Sequence, residues 1–329
     1  MWWLAVLGLV VVGITMTDFF RVTMAVGCPP KPLRANLSGW LWAALRRLTR
    51  RWHPMHGLGM VTALVTLGLW ILLVWGGWAM IFSGAPQAVV TAQAGQPASA
   101  WERVYFAGSS LFSLGISEYR PHGTPWQLAT VGAVLNGLTL LTLGITYLLQ
   151  VITAVTEKRQ LAGVIQALGA TPAEVVITAW RSGSWSGLEQ HLITLTAPLD
   201  LLTQRHLAYP VLHFFYSQDR RAGLPPAIAL LDETLLLLEH GIEFPHGPNR
   251  MAYLPLRAVI AQFLATLEDG FIRPAELPLA PDLAPLRAAG IPTVDDAAFC
   301  QRVDGEHQHR CRLHGLVSTS GWDWVSLWP

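Results

Sequence analysis

Charge is scarce in this chain. Asp, Glu, Lys and Arg make up 13% of its 329 residues, about half the roughly 25% usual in soluble domains. The 22 basic and 21 acidic residues nearly cancel, leaving a net charge of +1. That balance gives nucleic-acid phosphates no electrostatic footing, so no nucleic-acid partner is expected. Cysteine is scarcer still: Cys28, Cys300 and Cys311 are too few for a disulfide framework. Catalytic signatures are missing as well. There is no G-x-S-x-G, no phosphate loop, no H-E-x-x-H and no carboxylate pair on a readable scaffold. The expectation is a protein that is not an enzyme and needs no cofactor.

Apolar residues are abundant instead, at 52%, with 15 Trp among them. They gather in three runs of a length that suits a bilayer, which needs about 20 residues to cross. The first covers residues 2–16 and extends past Asp18 to Phe20. The second covers 58–82 and the third 126–155, and neither contains an ionisable residue. A cleaved signal peptide is the alternative for the first run. No basic residue precedes it and no small-x-small site clearly ends it, so a retained span is expected.

The charges that do exist set an orientation. Arg21, Lys31, Arg34, Arg46, Arg47, Arg50 and Arg51 separate the first two runs, with no Asp or Glu between them. By the positive-inside rule this loop is cytoplasmic. The N-terminus and residues 84–125 then lie outside, and everything after Lys158 lies in the cytoplasm, where thiols stay reduced. The expected location is the cell (inner) membrane, multi-pass, with a cytoplasmic C-terminal domain.

The segments follow from this frame: an N-terminal span over 1–24, a cytoplasmic loop over 25–57, a membrane module over 58–156 and a helical domain over 157–329. Within the loop, residues 38–53 form an amphipathic helix. Leu41, Leu45, Leu48 and Trp52 share one face, and Arg46, Arg47, Arg50 and Arg51 occupy another, suiting contact with anionic lipid. Residues 84–100 read as an exposed linker. After Glu157, Lys158 and Arg159 the composition becomes that of a soluble domain. Thr171, Pro172 and Glu174 mark a capped helix start, and helices are expected over 188–203, 207–216, 226–240 and 256–268. Asp232 and Glu233 exclude a fourth span over 227–238.

The most informative stretch is the loop between the second and third runs. Residues 101–112 are apolar but too short to span, which suits a re-entrant helix. Ser113, Leu114, Gly115, Ile116, Ser117 and Glu118 follow. Non-helical backbone at membrane depth must be buried in protein or line a watery cavity. A ring of backbone carbonyls around such a cavity can replace the water shell of an ion. In the third run, Gly137 reads either as a bend point for gating or as a close helix contact. Asn136 beside it suits a cavity lining.

Residues 58–155 resemble the pore module of potassium-channel-like proteins: outer helix over 58–83, pore helix over 101–112, filter over 113–118 and inner helix over 126–155. The usual filter reads T-V-G-Y-G-D, and Ser113-Leu114-Gly115-Ile116-Ser117-Glu118 falls on it, with Pro121 matching a proline common just beyond. The run from Tyr105 to Gly115 looks like bacterial members with a T-L-G-x-G-D filter. Gly137, Tyr147 and Leu148 resemble their inner helix, and the run from His206 to His213 resembles their helical tail. The resemblance implies a homotetramer, because one pore loop per chain needs four chains to close a ring. It implies an ion-binding filter of Ser113, Leu114, Gly115, Ile116 and Ser117, with the carbonyls of the first four facing the axis, the Ser113 hydroxyl forming the innermost site and four Glu118 carboxylates at the outer mouth. It also implies passage of a monovalent cation such as K⁺. The chain departs from the pattern where Ser117 replaces the second glycine, Ile116 the aromatic brace, Glu118 an Asp and Ser113 a Thr. These departures weigh against strict potassium selectivity.

Cys300, His307, His309, Cys311 and His314 cluster near the C-terminus. Cys and His can hold zinc, but the spacing matches no standard finger, and Arg310 and Arg312 add unfavourable positive charge. A solvated basic helix with two buried thiols is the plainer expectation. The chain as a whole reads as an all-α membrane protein: an N-terminal span, a pore-loop module and an all-α cytoplasmic domain gating a cation channel. A non-conducting membrane sensor or scaffold built on a degenerate pore is the alternative. A membrane-anchored enzyme is a weaker one.

Overall fold

The computed structural model describes residues 2–24, 58–115, 117–217, 219–243, 245–268 and 272–328. The basic loop with Cys28, Arg46, Arg47, Arg50 and Arg51, and the filter position Ile116, lie outside the described residues. The chain divides into two compact units that part between Ile152 and Thr153.

Among the described residues three helices are long and apolar enough to cross a membrane: α1 (Trp2–Met24), α2 (Leu58–Ser83) and α4 (Thr124–Gln166), the last belonging to the first unit as far as Ile152. The protein is thus an all-α membrane protein. A helix satisfies its own backbone hydrogen bonds, which apolar surroundings demand. Helices α1 and α2 approach closely at small residues. A Cβ added to Gly77 would press on Val12, and one added to Gly84 would press on Ala5. Small residues let helix backbones meet in this way where lipid provides no hydrophobic drive. The same pair holds a polar contact. The buried Asp18 carboxylate accepts the Trp70 indole N–H at 2.9 Å, while Phe19 meets the Trp70 ring edge-on at 5.1 Å. An ionisable residue in a span has to find such a partner.

Between α2 and α4 stand the short helix α3 (Ala100–Leu111) and a two-stranded antiparallel pair, β1 (Val89–Thr91) with β2 (Tyr119–Pro121). The 84–100 segment is therefore not the exposed linker expected from its composition. Ala88, Val89 and Val90 are buried, because pairing with β2 covers them and Ala98 packs beside them.

Helix α4 has 43 residues and is unbroken. At 1.5 Å per residue it is about 64 Å long, roughly twice the hydrocarbon thickness. Its charge-free part ends at Thr156, and Glu157, Lys158 and Arg159 lie beyond it.

The second unit packs α5 (Pro172–Arg181), α6 (Ser186–Ala208), α7 (Leu224–Leu236), α8 (Arg250–Glu268), α9 (Ala284–Ala288), α10 (Asp296–Asp304) and α11 (His307–Thr319) around one apolar core. The expected start of α5 is present: the Thr171 side chain accepts the Glu174 N–H at 3.1 Å, with Pro172 in the first turn. Leu192, Leu195, Leu199 and Leu202 of α6 recur at helical spacing and are buried against a core that includes Ile260, Phe263, Leu264 and Leu267 of α8. Helix α7 is buried from Pro226 to Leu236 and continues as a π-helical turn over Leu237–Gly241. The helix expected over 207–216 is instead the end of α6 followed by a 3₁₀ turn, Pro210–Phe214. Pro210 has no N–H to extend α6, so the chain turns there.

Candidate ion pore

The pore loop is framed by a helix with both ends specified. At its start Ser99 accepts the Glu102 N–H, and the Glu102 carboxylate accepts the Ser99 N–H at 2.5 Å, a complete capping box. The Tyr119 hydroxyl donates to the other Glu102 oxygen at 3.0 Å. One carboxylate therefore ties the start of α3 to the strand that follows the loop. These hydrogen bonds from Ser99 and Tyr119 hold Glu102 below the usual carboxylate range. Behind the helix the Trp75 indole N–H donates to the Val104 carbonyl at 2.9 Å, and Phe82 meets Phe106 edge-on at 5.1 Å.

At the other end the chain leaves the helix through a two-bond closure. Leu114 N–H donates to the Ser109 carbonyl at 2.8 Å and Ser113 N–H to the Ser110 carbonyl at 3.1 Å. This pairing terminates helices whose next residue is left-handed, a place usually given to Gly. Here it is Ser113, with φ 55°, among the described residues the one positive φ outside glycine. Gly115 also has a positive φ, 68°, and Leu114 between them does not. The conformational burden falls on Ser113.

Ser113, Leu114, Gly115, Ser117 and Glu118 are all exposed on this chain, and Leu114 is 63% accessible. The Glu118 backbone carbonyl accepts the Ala92 N–H at 2.8 Å, extending the β1–β2 pair to the edge of the loop. Below the loop, Gly137 of α4 lies against the backbone of Leu111, the last residue of α3. Any Cβ at Gly137 would collide with the Leu111 carbonyl. Asn136 beside it is half-buried.

The C-terminal cluster is not brought together. Among the described residues no group of three His, Cys, Asp or Glu side chains could share an ion. His309 goes to Asp232 at 2.9 Å and His314 to the Glu276 carbonyl at 2.7 Å, while His307 and Cys300 are exposed. The expected solvated basic helix with two buried thiols is corrected on both counts. Cys311 alone is buried, and Arg310 is 1% exposed, its guanidinium held by Glu233 and the carbonyls of Pro278 and Leu279. Asp232 and Glu233, legible only as markers of a packed helix, turn out to be the partners that make this burial possible.

A family model described as "Ion channel" matches residues 57–154, the part that contains α2, the loop and the membrane part of α4. The chain belongs to this potassium-channel-like family of pore-loop ion channels. It is also similar to an uncharacterized membrane protein, YdjJ, of Bacillus subtilis. The two are 32% identical over 319 residues, covering 96% of this chain and 94% of that relative. No solved structure matches the chain.

Proposed function

We propose that this ion channel is a homotetramer that conducts monovalent cations, K⁺ among them, along an axis lined by the 113–117 loop. The observation that carries this reading is the exposure of Ser113, Leu114, Gly115 and Ser117, none of them helical, in a chain with three membrane-capable helices. Such backbone has no place facing lipid. Three further copies would enclose it around water. Alternation of left-handed and other residues, as at Ser113, Leu114 and Gly115, turns successive peptide groups to one side. Four chains so arranged would present carbonyl oxygens to one axis, the chemistry that replaces the hydration shell of a cation. The C-terminal end of α3 adds partial negative charge beside the loop. Four Glu118 carboxylates at the outer mouth would concentrate cations there.

The orientation proposed is the one set by the basic loop: filter outside, second unit in the cytoplasm of a bacterial cell, in the inner membrane, with Arg46, Arg47, Arg50 and Arg51 on anionic lipid. The cytoplasmic unit would gate the pore through α4, which joins the two units without a break. Gly137 suits close packing better than bending in this scheme, because its contact is with backbone that cannot give way.

The test is a bi-ionic reversal potential for K⁺ against Na⁺ in planar bilayers, with Ser117→Gly as comparison and Glu118→Gln at low salt. Cation over anion permeability is expected, with conductance reduced in Glu118→Gln. Absence of flux across a range of voltage and pH would favour a non-conducting scaffold instead.

A further inference from the structure

Helix α4 carries its first charges at a depth where a membrane presents phosphate. Trp2 and Trp126 stack at 6.5 Å where α1 and α4 begin, an aromatic pair of the kind that marks a membrane interface. At 1.5 Å per residue, Arg159 stands about 50 Å along α4 from Trp126. A bilayer with its headgroups is roughly 40–45 Å thick. Arg159 therefore emerges close to the opposite headgroup layer, within reach of its own long stem. Its side chain is exposed.

A second arginine is held on the same flank. The Lys158 ammonium donates to the Leu212 and Phe215 carbonyls at 3.1 and 3.0 Å, which fastens the turn after α6 to α4. Another 3₁₀ turn, Arg220–Ala222, follows. Its Arg220 guanidinium donates to the Ala170 carbonyl at 2.6 Å, just beyond the end of α4. The Arg221 carbonyl lies 3.8 Å from where a Cβ on Gly163 would stand. Gly163 is four residues past Arg159, so the two share one side of the helix. The Arg221 side chain is exposed there.

Among the described residues neither Arg159 nor Arg221 forms an ion pair. Glu157 is taken by Arg205 at 2.6 Å. The Asp219 carboxylate accepts the Arg221 backbone N–H at 3.0 Å and caps the turn. Lys158, Arg159, Arg220 and Arg221 thus set four positive charges against one remaining carboxylate. An exposed guanidinium in water needs no partner. It is the depth of this pair that points to phosphate.

We propose that Arg159 and Arg221 hold the phosphate of an anionic phospholipid headgroup where α4 leaves the bilayer. Each guanidinium presents a planar fork of N–H donors that matches phosphate oxygens, and the surrounding positive charge favours an anionic leaflet. A phosphatidylcholine headgroup fits less well, because its quaternary ammonium would stand among four cations. A lipid bound there would bridge α4 and the 220–222 turn. The inference needs only that α4 spans a membrane, and it does not depend on ion conduction.

The test is native mass spectrometry of the full chain in detergent, titrated with phosphatidylglycerol and with phosphatidylcholine. Tighter binding of phosphatidylglycerol is expected. Arg159→Gln/Arg221→Gln should weaken its tightest binding by about tenfold. Arg181 and Arg273 are also exposed in this unit and without an ion pair among the described residues. Arg181→Gln/Arg273→Gln removes the same charge and should leave the binding unchanged. Both double variants should keep the melting temperature of the native chain, since all four side chains are exposed. Undiminished binding in Arg159→Gln/Arg221→Gln would overturn the proposal, as would an equal loss in Arg181→Gln/Arg273→Gln. Displacement of the lipid by glycerol 3-phosphate or inorganic phosphate at similar concentration would overturn the assignment to a membrane lipid.

Discussion

Arg310 of α11 and Glu233 of α7 meet through two hydrogen bonds, at 3.1 and 3.2 Å, with both side chains nearly sealed from solvent. Two carbonyls, of Pro278 and Leu279, complete the guanidinium's partners. The pair therefore fastens the C-terminal helix and the 278–279 stretch onto the central helix of the domain. Burial already pushes the Glu233 carboxyl up to about 7 beside Arg310, so without Arg310 it takes a proton and stays buried with no partner; breaking such a pair costs about 3–5 kcal/mol. Arg310→Met should lower the melting temperature of the C-terminal domain sharply in calorimetry. The double variant Arg310→Met/Glu233→Leu should recover most of the loss, since apolar replacement of a whole buried pair is often near neutral. A double variant no better than the single one would show that the carbonyl contacts, not the ion pair, matter.

The adjacent pair, His309 with Asp232, sets a pH dependence. Burial lowers His309, but the Asp232 carboxylate outweighs it and the net shift is upward. Burial raises Asp232, but His309, Arg257 and Arg310 outweigh it and the net shift is downward. A raised histidine contributes stability that is full below its unfolded value of about 6.5 and lost as pH rises through the folded value. A depressed aspartate contributes stability above about 3.9 and loses it in acid. The contribution of the pair is thus largest between those limits. The gap in melting temperature between wild type and His309→Gln should be wide near about pH 5.5 and narrow by about pH 8.5. A gap independent of pH would mean that His309 is not charged in the folded chain.

Ser113 holds a left-handed backbone with a side chain that Gly would not carry. Ser113→Gly should stabilise the loop by about 1 kcal/mol, and Ser113→Ala should not, since Ala keeps the Cβ. The check is thermal denaturation of the detergent-solubilised protein. Equal melting temperatures for all three chains would argue that the Ser113 hydroxyl offsets the strain.

Gly137 and Gly68 form a matched pair of helix glycines. A Cβ at Gly137 meets the Leu111 backbone, and one at Gly68 meets nothing within 4 Å. Gly137→Ala should destabilise by about 1–3 kcal/mol through overpacking. Gly68→Ala should be neutral or slightly stabilising, because Ala is the better helix former by about 1 kcal/mol. Hydrogen exchange at α3 distinguishes the two: faster exchange is expected in Gly137→Ala only.

The parts of this fold that were legible in the sequence are those governed by local physics. Long charge-free runs announce spans, and Thr171 with Glu174 announces a helix start. What was hidden depends on distant partners. Arg310 looks solvated until Glu233, far away in the chain, is placed beside it. Val89 and Val90 look like linker until Pro121 and Arg120 pair with them. The place of Ser113 was harder to see for another reason. The filter resemblance marks Ser113 only as a replacement for Thr, whereas the closure at the end of α3 gives it a left-handed backbone.

That closure bears on how the protein comes together. The bonds that shape the loop's first turn join residues five or fewer positions apart, so they can form as soon as one chain folds. In the homotetramer proposed above, a newly made subunit would arrive at its partners with that turn already bent. In such an assembly, mutations of the exposed Ser117 or Glu118 should slow oligomer formation more than those at Ser109 or Ser110.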